Sequence, residues 1–376
     1  MVLEGLMRCV ASFVNFDRNI CKYRTMIGFR VTTFLVPLMI FLTGFSACNS
    51  GENKPEERLI PEVSDDKESL QQLNIARFEQ DLFRCSDVTF AKDTLEIRKK
   101  YNSFFELFAS RIIRVGSIQQ PLFKQNLLGF LNDPDIKSVY SECRKQYPDL
   151  QEEEKALSEA FGRYQRIFPD SLIPRLVTMI SGFNYTIATS DSVLAIGIDM
   201  YLGSKCRFYE LLAMPQYKTQ NMNRRNIAPD AIRGYLMAAF PMNAQTDDLI
   251  SLMIYHGKIA FLSQLLLPEI DEALILGYTD KQATYNKENE SRIWAHFVDK
   301  QLFYSKDFND QVNYINDGPF TPGFAQDTPP RMGVWLGLQL VKKYMDQNRQ
   351  ITIPELLRNS DMHSIFKQSG YKPPKI

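Results

Sequence analysis

Leu176-Val177-Thr178-Met179-Ile180 and Val193-Leu194-Ala195-Ile196-Gly197-Ile198 are the stretches on which the fold turns. Both are short, almost unbroken apolar runs rich in β-branched side chains, the pattern of β-strands. The helical period that precedes them stops between Pro169 and Pro174, and Thr189, Ser190, Asp191 and Ser192 supply turn chemistry between the two runs. The pair reads as antiparallel. Gly197-Ile198-Asp199-Met200-Tyr201-Leu202-Gly203 then leaves the second strand into a loop. The flanking sequence reads as helix, so the expected class is α+β, mainly α-helical, with a small antiparallel β-sheet packed with helices.

Upstream, Tyr101, Phe104, Phe105 and Phe108 fall at i, i+3, i+4 and i+7. The same spacing recurs in Ile136, Val139, Tyr140, Cys143 and Tyr147, and again in Leu157, Phe161, Tyr164 and Phe168. Such stripes predict core-facing helix surfaces rather than a ligand platform. Glu152-Glu153-Glu154-Lys155 opens the last of these helices, where negative charge offsets the macrodipole, and reads as a solvated helix start. Downstream, 249–267 predicts a mostly buried helix ending before Pro268. A helix over 291–302 should carry Trp294, Phe297 and Val298 on one side, and one over 332–345 follows Pro329 and Pro330. Gly333 and Gly337 lie one turn apart in it, leaving room for close approach of a neighbouring element.

The apolar run 31–45 ends in Phe45-Ser46-Ala47-Cys48 and is followed by polar Asn49-Ser50-Gly51-Glu52-Asn53. That arrangement looks like a bacterial lipoprotein signal, with small Ser46 and Ala47 before a cysteine whose sulfur would carry a diacylglyceryl group. The run falls short of the ~20 apolar residues that span a bilayer, so cleavage is expected rather than a spanning anchor. Lys22, Arg24 and Arg30 would form the charged region, with Met26 as the start. The expected organisation is a signal peptide over 1–47, a lipidated Cys48 with a flexible tether over 48–72, a helical region over 73–168, and an α+β region over 169–376. Covalent lipid on Cys48 implies a membrane anchor, and the polar tether implies a folded part held off the lipid, most simply on the outer membrane facing the periplasm.

Lys plus Arg and Asp plus Glu both number 44, so no general field draws nucleic acid to the chain. With the leader removed, Cys85, Cys143 and Cys206 remain, an odd set without metal-type spacing that reads as free thiols. There is no Gly-x-Ser-x-Gly, phosphate loop or dinucleotide fingerprint, so those enzyme classes have no motif, and no small-molecule substrate is indicated.

Several segments together resemble the gliding-motility lipoprotein GldB family of the Bacteroidetes. They are the Cys48 signal, Ile198-Asp199-Met200-Tyr201-Leu202-Gly203, Met253-Ile254-Tyr255-His256-Gly257-Lys258, Leu276-Gly277-Tyr278-Thr279, and Asn289-Glu290 through Ile293-Trp294. Pro330-Arg331-Met332-Gly333 through Trp335-Leu336-Gly337 and the terminal Ser369-Gly370-Tyr371-Lys372-Pro373 complete the set, over roughly residues 75 to 376. The family is in turn similar to predicted zinc-dependent proteases of the zincin type, which implies a degenerate zincin-like fold. Those proteases carry His-Glu-x-x-His on a helix. Here the matching segment, 232–240, reads Ile-Arg-Gly-Tyr-Leu-Met-Ala-Ala-Phe, without His or Glu.

The resemblance therefore implies a non-enzymatic, lipid-anchored envelope component required for gliding motility or the associated secretion of surface proteins, with protein partners and no cofactor beyond the lipid. Two alternatives stay open: a metal-dependent peptidase with a non-standard ligand set around His256 and Glu290, and a peptidoglycan- or glycan-binding module. Tyr255, His256, Lys258, Arg331 and Trp335 are the candidates for partner contact, Arg331 because a guanidinium can grip a carboxylate in two places.

Overall fold

A computed structural model describes residues 72–190, 192–242, 247–325 and 328–373. The signal segment, Cys48, the tether as far as residue 71, Asp191 and Asp327 lie outside the described residues. Four strands form one sheet: β1 (Ala76–Arg77), β2 (Arg175–Met179), β3 (Ile187–Thr189) and β4 (Val193–Gly197), in the order β1-β2-β4-β3. The two apolar runs do pair, but in parallel, with Leu176 beside Leu194 and Thr178 beside Ile196. This corrects the antiparallel expectation. Between them the chain makes a second reversal through β3, which is antiparallel to β4 and occupies the sheet edge, so the sheet is mixed.

Alternation along the strands divides two cores. Val177, Met179, Val193 and Ala195 face one, while Leu176, Leu194 and Ile196 face the other, all less than a tenth exposed. Burial on both faces explains why the strands read as continuous apolar runs.

The first core is closed by α1 (Phe78–Leu82), α2 (Phe90–Tyr101), α3 (Ser103–Leu107) and α4 (Phe123–Asn132). Phe78 is its centre, with the rings of Tyr101, Phe104 and Phe108 edge-on at 4.9, 5.1 and 4.8 Å. These aromatics are buried as expected, yet not on one helix: the backbone breaks at Asn102, whose φ is +49°, and Phe108–Ile112 forms a π-helical turn.

Against the second face pack α5 (Pro134–Gln146), α6 (Gln151–Ile167), α7 (Ile227–Ala239) and α8 (Leu249–Leu266). Asp133 caps α5 through the amides of Asp135 and Ile136, with Pro134 at the first helical position. The acidic start of α6 is not simply solvated. Glu152 is exposed, but Glu153 is buried in a two-pronged ion pair with Arg224 at 2.6 and 2.9 Å, and Glu154 accepts from the Ile75 amide. Beyond α8 follow α9 (Glu272–Ile275), α10 (Asp280–Glu288), α11 (Glu290–Asp299), α12 (Phe308–Ile315), α13 (Met332–Gln347), α14 (Ile353–Arg358) and α15 (Met362–Ser369). On α11 Phe297 is buried and Trp294 packs near Phe303, while Val298 faces solvent at 48% exposure, against the expected shared face.

Helices α8 and α13 cross at the centre of this core. A Cβ on Gly337 would overlap the Met253 carbonyl, one on Gly257 would overlap the Gly337 carbonyl, and one on Gly333 would lie 2.7 Å from the Tyr314 carbonyl. The glycine spacing thus does what it predicts. Cys85, Cys143 and Cys206 are free thiols, the first two buried.

Candidate functional site

Three of the segments singled out by sequence, 253–258, 276–279 and 330–337, meet at the α8–α13 crossing and the α9–α10 hairpin beside it. Arg331 precedes α13 in a left-handed conformation, φ +56°. Its guanidinium donates to the Leu276 carbonyl, lies over the Tyr278 ring at 5.8 Å from the centroid, and meets Asp317 at 3.8 Å. Gly277, with φ +67°, makes room, since a Cβ there would stand 2.7 Å from Arg331 Nη2. The Tyr278 hydroxyl returns to the Pro330 and Arg331 carbonyls at 3.0 Å each, and Asn221 Nδ2 donates to the Gly277 carbonyl at 2.7 Å. Arg331 is therefore committed to its own chain.

His256 sits on α8, its ring against that of Tyr255. Burial, together with the positive charges of Arg331 and Arg233, pushes its imidazole down to about 4, so it is neutral at physiological pH. Two cations repel a metal ion rather than help bind one. Glu290, the other proposed oxygen donor, accepts from the Tyr371 hydroxyl at the start of α11. Among the described residues no three His, Cys, Asp or Glu side chains gather into a group that could hold a metal. The donor set does not fit a zincin zinc centre, which needs two imidazoles and a third ligand.

The remaining candidates are largely interior. Tyr255 and Lys258 are buried at 8% and 2% exposure. Lys258 Nζ donates to the Asn359 carbonyl at 2.6 Å, just past the C-terminus of α14, where a cation offsets the helix dipole. Burial pushes its ammonium down to about 8. Trp335 is 2% exposed, but its ring lines a cleft of about 230 Å³ between α13 and the α9–α10 hairpin. Tyr278, Leu276 and Ala283 share that lining with Asp271, Glu272, Asp280 and Lys287. Burial works against the Glu272 carboxylate, but Lys342 and Gln264 outweigh it and hold the group below the usual range.

Sequence reasoning missed the hairpin's acidic wall and the buried carboxylate of Asp199. Asp199 follows β4 with no exposed surface. It accepts from the Ser181 amide at 3.0 Å, the Ser181 hydroxyl and the Phe183 amide at 2.8 Å, fixing the turn from β2 toward β3. The signal was present in the Ile198–Gly203 motif, as an aspartate bracketed by apolar residues.

A family model described as gliding motility protein GldB matches residues 56–373. The chain belongs to the GldB family. Membership puts it among gliding-motility lipoproteins of the cell envelope. No curated protein and no solved structure matches the chain. Within this GldB-family fold the motif segments are structural neighbours: 253–258 against 330–337, 276–279 clasped by Arg331, and Trp294 beside Tyr371, 5.1 Å between ring centroids.

Proposed function

We propose that the protein is a lipid-anchored envelope component that serves gliding motility, or the linked export of surface adhesins and enzymes, through protein contacts rather than catalysis. The observation that carries this reading is the family match over 56–373, nearly all of the chain beyond the signal segment. Supporting it, α7 carries neither His nor Glu where a metallopeptidase signature would lie, and burial with the positive charges of Arg331 and Arg233 disfavours a cation at His256. In this reading Cys48 becomes the lipidated first residue of the mature protein, which stands on the outer membrane facing the periplasm and needs no cofactor but its lipid. Arg331 and Trp335 then act by shaping the partner-binding face rather than by grasping the partner themselves.

The test is a deletion strain of the host complemented with the wild-type chain or with Cys48→Ala. Colony spreading and surface display of adhesins should be lost on deletion and restored by the wild type. Cys48→Ala should leave the membrane fraction and fail to incorporate palmitate. Normal spreading and display in the deletion strain would refute the motility reading, and palmitate on the Cys48→Ala protein would refute the anchor.

A further inference from the structure

We propose that the basic flank of α5, together with the turn after α1, rests on an anionic lipid surface and sets how the anchored protein sits on its membrane. The inference rests on the reading of Cys48 as a lipid anchor, and it names the face turned to the lipid. Ile136, Val139 and Cys143 turn α5 toward the core. At about 100° per residue, Tyr140, Arg144, Lys137 and Lys145 then follow one another around one flank, while Asp135 and Glu142 fall on the other. Contacts bear out the division. On the acidic flank Ser138 meets Arg207 and the Glu142 charge acts on the Cys206 thiol. On the basic flank Tyr140 stacks on Phe83, with ring centroids 4.0 Å apart and planes 11° apart. The Arg144 guanidinium lies over the Tyr140 ring at 5.9 Å, and neither it, Lys137 nor Lys145 has an ion pair among the described residues. Arg84, next in the chain to Phe83 and 73% exposed, adds a fourth cation. The carboxylate it meets, Asp81 at 3.3 Å, is held more closely by Lys100 and the Tyr101 hydroxyl.

Two further observations make a membrane the occupant of this face. The first is where the chain comes from. Cys48 lies about two dozen residues before Gln72, a span of at most about 80 Å, so lipidation keeps the surface within reach and turns a weak contact into an intramolecular one. Gln72 leads into β1, where Arg77 Nη1 donates to the Tyr147 carbonyl at the end of α5. The chain thus enters the fold beside the last turn of α5, which carries Arg144 and Lys145. The second is the spread of the cations. Lys137 and Lys145 stand about 12 Å apart along the helix axis, too far to close on one phosphate and suited to an array of headgroups. Partly exposed Phe83 and Tyr140 among them supply the aromatic rings that settle at a membrane–water boundary.

Ser141 is exposed one turn from Lys137, Arg144 and Lys145, and it takes the probe. Cys85 and Cys143 are buried, so Ser141→Cys in a Cys206→Ser background is labelled with bimane, and Gln368→Cys on α15 serves as a site outside the face. The full-length lipidated protein is reconstituted into vesicles of phosphatidylcholine, alone or mixed two to one with phosphatidylglycerol, that contain a headgroup-nitroxide lipid. Quenching at position 141 should be at least about twofold stronger in the anionic vesicles, with position 368 unchanged. It should fall to the phosphatidylcholine level in Arg84→Gln/Arg144→Gln, two exposed changes, and for the unsubstituted face in high salt. Equal quenching at the two positions, no dependence on phosphatidylglycerol, or an unaltered response in the double variant would overturn the proposal. Loss of the contact on adding inorganic phosphate at constant ionic strength would overturn it too, by assigning the face to a soluble anion. Protein that fails to float with the vesicles refutes the lipid anchor and this inference with it, whereas protein that floats without quenching at position 141 refutes the inference alone.

Discussion

Asp199 shows how one side chain sets a strand's path. Its carboxylate has no exposed surface, and it collects two amides and a hydroxyl from Ser181 and Phe183, where Gly182 and Phe183 both take positive φ, +66° and +61°. Substitution by alanine strands two buried N–H groups, and we expect a loss of about 3 kcal/mol in urea unfolding. Burial pushes the carboxyl up to about 6 from the ordinary 3.8, against the pull of its hydrogen bonds. The folded state thus holds this proton more tightly than the unfolded chain. Its contribution is complete below about pH 4 and is lost as pH rises through about 6. The stability difference between wild type and Asp199→Asn should shrink across that window. A difference that stays flat or widens with pH would contradict the assignment.

At the scale of elements, the α8–α13 crossing depends on the absence of two side chains. Gly337→Ala drives a methyl into the Met253 carbonyl inside a close-packed helix pair, and its cost should reach at least about 3 kcal/mol. Gly129→Ala is the matching control. That glycine lies exposed within α4 with nothing within 4 Å of an added Cβ, so alanine should stabilise by about 0.5–1 kcal/mol through helix propensity. Thermal melts of the two variants should move in opposite directions. The glycine spacing and the aromatic stripes were legible in the sequence because helix packing leaves a period behind. The strand Ile187–Thr189 was not, since three residues show no alternation, and missing it reversed the reading of how β2 and β4 pair. The Arg331 clasp was equally hidden: its partners include the carbonyl of Leu276, and the Tyr278 hydroxyl answers to those of Pro330 and Arg331, which no side-chain pattern reports.

Across residues 72–373 the sheet lies between the two cores, and the helical N-terminal region is bound to the rest on both of its faces, α1 to α4 in the first core and α5 and α6 in the second. Val177, Met179, Val193 and Ala195 share the first core with α1 to α4 and the Phe108–Ile112 turn, and β1 pairs with β2 on the side away from β4. Glu79 on α1 reaches across to the Thr178 hydroxyl at 2.6 Å, both groups buried. Removing residues before 169 would bare an apolar sheet face, at about 1.5–3 kcal/mol for each large side chain, and leave β2 as an unpaired edge open to aggregation. A fragment over 169–376 should therefore be insoluble or lack fixed tertiary structure. The chain from Asn49 onward should unfold in a single transition, with far-UV circular dichroism and Trp335 fluorescence changing together. A soluble 169–376 fragment with a sharp melt of its own, or two separated transitions in the longer chain, would show instead that the region before the first strand run is an independent domain and that the sheet does not couple the two cores.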